Sequence, residues 1–196
     1  VLMYTAPAWV TLLSIPLFQE RLTPHKVVAV VLAIVGCALV GRVYNLDAVR
    51  LNYLGVLAGL GAGLTYGFYT LFSKAAQRRY DAWVTLAYAL ALGTVFMLPF
   101  QSFADLRRAV AQPGSLFWLV LLGLGPTLGA GLAFNGALRL IPASNVSIVA
   151  TLEPAIATLL GWAVLGERLE PLQLLGTGFI LAAVVMLHRE AALWQP

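Results

Sequence analysis

Charge is what this sequence has least of. Only 10% of its residues are Asp, Glu, Lys or Arg, where an ordinary soluble domain carries about 25%. A water-soluble globule of 196 residues needs far more polar surface, so that class is excluded. There is a single cysteine, Cys37. It cannot form an intrachain disulfide or a thiolate metal centre, and inside an apolar run it reads as a small packing residue. The two histidines, His25 and His188, stand near the ends of apolar runs and join no Cys, Asp or Glu cluster. No phosphate-cradling Gly-x-x-x-x-Gly-Lys and no nucleophile elbow occurs. The expectation is therefore no metal, no cofactor and no enzyme. Basic clusters interleaved with aromatics are also missing, so nucleic acid is not an expected partner.

What the chain does have is apolar length. It is 61% hydrophobic, with a mean hydropathy of +0.88. Its runs reach about 20 residues, enough to cross the hydrocarbon core as a helix. The expected fold class is all-α, a polytopic helical membrane protein whose first partner is the lipid bilayer. A barrel is excluded because the runs are continuously apolar and do not alternate. Seven spans are expected: Leu2–Phe18, Val27–Val43, Leu54–Phe72, Trp83–Phe100, Leu116–Leu138, Ala143–Leu165 and Leu172–Leu187. The link 101–115 places Phe103, Leu106 and Val110 at helical spacing, which suits a short helix on the membrane surface or a solvated loop.

The net charge of +4 comes from short loops and bears on orientation. Seven basic residues fall on one side (Arg21, Lys26, Lys74, Arg78, Arg79, Arg139, Arg189) and five on the other (Arg42, Arg50, Arg107, Arg108, Arg168). The excess favours a cytoplasmic C-terminus in a cell (inner or plasma) membrane.

The chain contains a repeat. Pro7 aligns with Pro154 at an offset of 147, and in that register Ala8/Ala155, Thr11/Thr158, Leu12/Leu159, Leu13/Leu160, Glu20/Glu167, Arg21/Arg168, Leu22/Leu169 and Pro24/Pro171 are identical. Five spans separate equivalent points, and an odd number reverses direction across the membrane. Inverted repeats of this kind build many secondary transporters. Two units of that length exceed 196 residues. Residues 1–50 are therefore expected to be the last two spans of a first unit, residues 51–190 a complete second unit, and about three further spans are expected ahead of Val1.

The segments 54–70 (Leu54-Gly-Val-Leu-Ala-Gly to Tyr69-Thr70), Ala137-Leu-Arg-Leu-Ile-Pro-Ala-Ser-Asn-Val-Ser147, Leu152-Glu-Pro-Ala155 and Gly166-Glu-Arg-Leu169, with Gly176 in the last span, resemble the EamA family of the drug/metabolite transporter superfamily. The resemblance covers essentially the whole chain. It implies ten helices in the intact protein, cytoplasmic termini, and export or exchange of a small metabolite.

Glu153 is the first candidate for chemistry. It is a lone acid near the middle of an apolar run, where an ionisable group costs roughly 2.5–3.5 kcal/mol to insert. Pro154 has no N–H, so the carbonyl of Ala150 loses its helical donor on the same face. A carboxyl beside a free carbonyl suits an amine or a proton; a proline kink held by the acid is the plainer reading. Tyr66 and Tyr69 share a helix face and could stack on a substrate or simply pack. Thr127 beside Pro126, among several glycines, suggests a bend or a small-residue seam, and Asn135 a polar contact near a span end. Pro7 should break its span as Pro154 breaks its own, although position 6 is Ala where the second copy has Glu153. The Glu20-Arg21 and Glu167-Arg168 pairs are expected to cap helices or set interfacial depth.

The expected function is secondary transport of a small molecule such as an amino acid or amine, by alternating access, proton-coupled or by exchange, with a homodimer compatible with it. A sugar-nucleotide or phosphate carrier would need cations inside the membrane, and no Lys or Arg lies deep in a span. A membrane scaffold or regulatory subunit is the other alternative.

Overall fold

The computed structural model describes residues 1–45 and 53–193, with side chains to residue 189. The expected division at residues 50/51 and the topological vote of Arg50 fall outside the described residues. Among the described residues there are helices and turns and no strand. A short 3-10 turn, Leu2–Thr5, leads into α1 (Ala6–Phe18). Then follow α2 (Pro24–Val40), α3 (Tyr53–Ala76), α4 (Ala82–Met97), α5 (Phe103–Ala111) and α6 (Pro113–Leu122). A π-helical stretch, Gly123–Ala130, joins α6 to α7 (Gly131–Leu140). The last are α8 (Ala143–Ala150), α9 (Leu152–Leu165) and α10 (Pro171–Leu193).

Five continuous or near-continuous helical stretches are long and apolar enough to cross a membrane: Tyr53–Ala76, Ala82–Phe100, Pro113–Leu140, Ala143–Leu165 and Pro171–Arg189. Leu2–Phe18 and Pro24–Val40 are apolar but shorter. The protein is thus a polytopic helical membrane protein. Large apolar side chains such as Phe72, Phe96, Val164 and Leu165 stand exposed, which is stable in lipid and not in water.

Local chemistry sets the helix ends. Thr23 caps α2 by accepting from the Lys26 amide, with Pro24 at the first helical position, where its missing N–H costs nothing. Asp81 caps α4 through the Val84 amide at 2.9 Å. Ser102 caps α5, so the 101–115 link does contain a short amphipathic helix. α3 runs four residues past the expected Phe72. Its Lys74 ammonium donates to the carbonyls of Leu138 and Ile141 (2.5 and 2.9 Å) at the end of α7, a cation satisfying orphan C-terminal acceptors.

The helices group into two units, residues 1–72 with 142 onward, and residues 73–141. In the first unit α2 and α10 are the most extensively packed pair. Their seam is built of small residues, Ala29, Ala33, Gly36 and Ala183, with Ile148, Ile180 and Leu187 filling the sides. Close backbone approach of this kind is how helices associate in lipid, where burial of apolar surface supplies no drive. α3 meets the first helix along Gly59, Gly63 and Gly67. A Cβ on these would lie 2.8 Å from Leu2 Cβ, 2.5 Å from Thr5 Oγ1 and 3.3 Å from Trp9 Cβ. That contact positions Tyr66.

Candidate functional site

Two helices of the first unit break at equivalent places in the repeat. The span Ala143–Leu165 is interrupted at Thr151, which ends α8 and starts α9. The Thr151 amide and hydroxyl both donate to the Ile148 carbonyl, at 3.1 and 2.6 Å. Pro154, three residues on, offers no N–H to Ala150. The first span shows the same device. The 3-10 turn Leu2–Thr5 precedes α1, Pro7 sits in its first turn, and the Thr5 hydroxyl donates to the Leu2 carbonyl at 2.8 Å.

Between the two breaks lies a cavity of about 210 Å³. Met3, Tyr4, Ala6 and Pro7 line one side, Ser147, Ala150, Thr151 and Glu153 the other, and Tyr66 of α3 completes it. Glu153 is in the first turn of α9 and exposed. Two features offset the insertion cost of this acid. The cavity lets it keep polar company, and the N-terminal end of a half-helix carries positive partial charge. Ser147 lines the same wall. It is 2% exposed, and its hydroxyl has no hydrogen-bond partner.

The sequence-derived candidates divide into two sets. Glu153, Ala150, Tyr66, Pro7 and, by its effect on the helix, Pro154 meet at the cavity. The Tyr69 ring is 6.0 Å from that of Tyr66, tilted by 36°, without lining it. Thr127 and Asn135 belong to the second unit. Pro126 and Thr127 stand within the π-helical stretch, where Thr127 is exposed. Asn135 is fully buried, donates to the Gly131 carbonyl at 2.9 Å and accepts from Gln77 at 3.4 Å. Tyr4 and Thr151 are lining residues that the sequence reading did not select. A Tyr or a hydroxyl residue in an apolar helix carries no signal of which face it occupies.

A second polar cluster ties α1 to α8. Glu20, just past the end of α1, accepts from the Ala143 amide at 2.7 Å and the Ser144 amide at 3.4 Å. It therefore caps the N-terminus of a helix more than 120 residues away. The Ser144 hydroxyl donates to the same carboxylate and accepts from Lys26 at 3.1 Å. Lys26 Nζ lies 3.7 Å from Glu20, and both side chains are only 10% exposed.

A chain with two broken helices around a small cavity that holds one acid fits membrane transport, and comparison with known proteins identifies its family. The profile of the EamA-like transporter family matches residues 53–189. The chain belongs to the EamA-like transporter family.

It is similar to an uncharacterized transporter of Archaeoglobus fulgidus, 32% identical over 97% of this chain and 66% of the relative. It also resembles a threonine/homoserine exporter of Escherichia coli (29% identical, 87% of this chain, 57% of the relative). A probable terminal-alkyne amino-acid exporter of Streptantibioticus cattleyicolor is 26% identical over 96% of this chain and 63% of its own length. The chain spans between about half and two thirds of the length of these curated relatives. No solved structure matches. Tyr66, Ser147, Ala150 and Glu153 fall inside the EamA-matched stretch, whereas Met3, Tyr4 and Pro7 lie ahead of it. The cavity of this EamA-like chain is therefore assembled from both sides of that boundary.

Proposed function

We propose that this chain is part of a secondary transporter of the cell membrane that moves a small amine-bearing metabolite, such as an amino acid, and is not an enzyme. The carrying observation is the cavity at the two helix breaks, with Glu153, Ala150 and Ser147 lining one space. A carboxylate and a carbonyl can accept from an ammonium, and Tyr4 and Tyr66 can pack on its carbon skeleton. At about 210 Å³ the space is smaller than the roughly 300–1,000 Å³ of drug-sized ligand sites, which favours a metabolite of few atoms. Its lining contains an acid and no cation, so it does not support the phosphate-carrier alternative. Two relatives named as amino-acid exporters support the same substrate class.

In this reading the two copies of the repeat are inverted five-helix units that rock about the cavity, and the C-terminus is cytoplasmic. Glu153 binds the ammonium and a proton in turn, which couples flux to a proton gradient or to exchange. The test is flux in proteoliposomes of the full-length protein across amino acids and amines, with and without a pH gradient. Glu153→Gln is expected to abolish gradient-driven flux. Unchanged transport by that variant at every pH would overturn the assignment.

A further inference from the structure

The two Glu-Arg-Leu turns share a backbone and differ in what meets them. Gln19 and Gly166, equivalent in the repeat, both adopt the left-handed conformation, with φ of 55° and 69°. The amide of the next residue reaches back to the Ser14 carbonyl at 3.4 Å in one turn and to the Gly161 carbonyl at 3.3 Å in the other. The carboxylates fold back alike. Glu20 Oε2 is 3.2 Å from Ser14 Oγ, and Glu167 Oε2 is 2.8 Å from the position a Cβ on Gly161 would take. Glu20 is filled by the N-terminus of α8. Glu167 is exposed on an open hollow of about 570 Å³ walled by Leu159, Trp162, Leu169 and Leu174, with its neighbour Arg168 at the edge of the same lining. Among the described residues no helix N-terminus meets it.

We propose that this hollow seats the N-terminal end of the first membrane helix, continued ahead of Val1 in the complete protein, and that Glu167 caps it as Glu20 caps α8. In the repeat register the positions equivalent to Ala143 and Ser144 lie five and four residues ahead of Val1. The path is short and points the right way. Val1 packs on Gly41, whose Cβ would meet Val1 Cγ2. The adjacent Arg42 reaches the Arg168 carbonyl and the Glu170 carboxylate, both at 3.4 Å. The first helix, extended upstream, therefore runs towards the turn that carries Glu167. Free amides and the positive end of a helix complement a carboxylate, and the apolar walls suit a membrane helix. Position 173, equivalent to Lys26, is a glutamine engaged with Arg42 and the Val40 carbonyl, so α10 supplies no cation to Glu167. Relatives longer than this chain have the length to contribute such an extension. The inference rests on the repeat and not on transport, so a cross-linking test can fail independently of any flux result.

The test uses the full-length protein with its native cysteines replaced. One pair joins Glu167→Cys to a cysteine four residues ahead of Val1; the reference pair is Glu20→Cys with Ser144→Cys. Intramolecular disulfide formation by the first pair, to an extent comparable with the reference, is the expected result. Cross-linking of the reference pair alone overturns the proposal, as does a cross-link between two copies, which would put a second molecule in the hollow. A single-variant measurement stands beside it in case the reference pair misfolds. Glu167→Cys should react with a membrane-impermeant maleimide more slowly than Arg168→Cys; equal rates overturn the proposal.

Discussion

Gly36 and Gly176 bring α2 and α10 into backbone contact: a Cβ on either would lie 2.7 Å from the other's carbonyl oxygen. In the repeat register Gly36 corresponds to Ala183 and Gly176 to Ala29, and these two alanines are fully buried in the same seam. The seam thus relates to itself when the two copies of the repeat are exchanged.

Gly176→Ala places its new methyl against backbone, 2.7 Å from the Gly36 oxygen and 3.0 Å from the Val40 amide nitrogen. Overpacking of this kind costs about 1–3 kcal/mol. Thermal unfolding in detergent should show a lowered Tm. Gly178→Ala meets nothing within 4 Å and should hold or raise the Tm, because Ala is a better helix former than Gly.

Lys26→Met leaves the Glu20 carboxylate in place at 10% exposure without its cation. Removing one partner of a buried pair costs roughly 3–5 kcal/mol, whereas replacing both is often far milder. The double variant Glu20→Gln/Lys26→Met should therefore unfold at a higher temperature than Lys26→Met alone. A double-mutant cycle by thermal unfolding measures the coupling, and strictly additive losses would show that the two charges act independently.

Tyr44, just past α2, donates its hydroxyl to Glu170. That hydrogen bond, then burial and the charge of Glu170, raise the phenol above its ordinary value of 10.0, with Arg42 acting in the opposite direction. The raised value means that the folded protein prefers the neutral phenol. Its contribution to stability is complete below pH 10 and is lost as the pH rises through the higher folded value. Absorbance titration of the parent minus Tyr44→Phe should show a phenol ionising above pH 10. The variant should also lose stability less steeply in that range.

Ser147 has a buried hydroxyl that lacks a partner at the cavity wall. An unpaired buried polar group costs about 1–3 kcal/mol, so Ser147→Ala should be as stable as the parent or more so. If the hydroxyl is held for substrate, the same variant should raise the KM for flux. Unchanged KM with raised stability would assign Ser147 a packing role only.

The sequence by itself determined the class, the helices and the repeat. Long apolar runs admit one backbone solution in lipid, the helix, and Thr23-Pro24, Asp81 and Ser102 mark starts that their own side chains satisfy. The break at Thr151 was legible because Pro154 removes a donor wherever the chain is placed. What only the tertiary structure decided is which residues meet. These helices are apolar nearly all round, so periodicity does not say which face turns inward. Glycines at 59, 63 and 67 let α3 approach the first helix closely enough to put Tyr66 opposite Glu153, and Tyr4 and Ser147 came with it. Glu20 illustrates the same limit. Its place at a span end was readable, but the helix it caps begins at Ala143, and a contact across more than 120 residues exists only once the chain has folded.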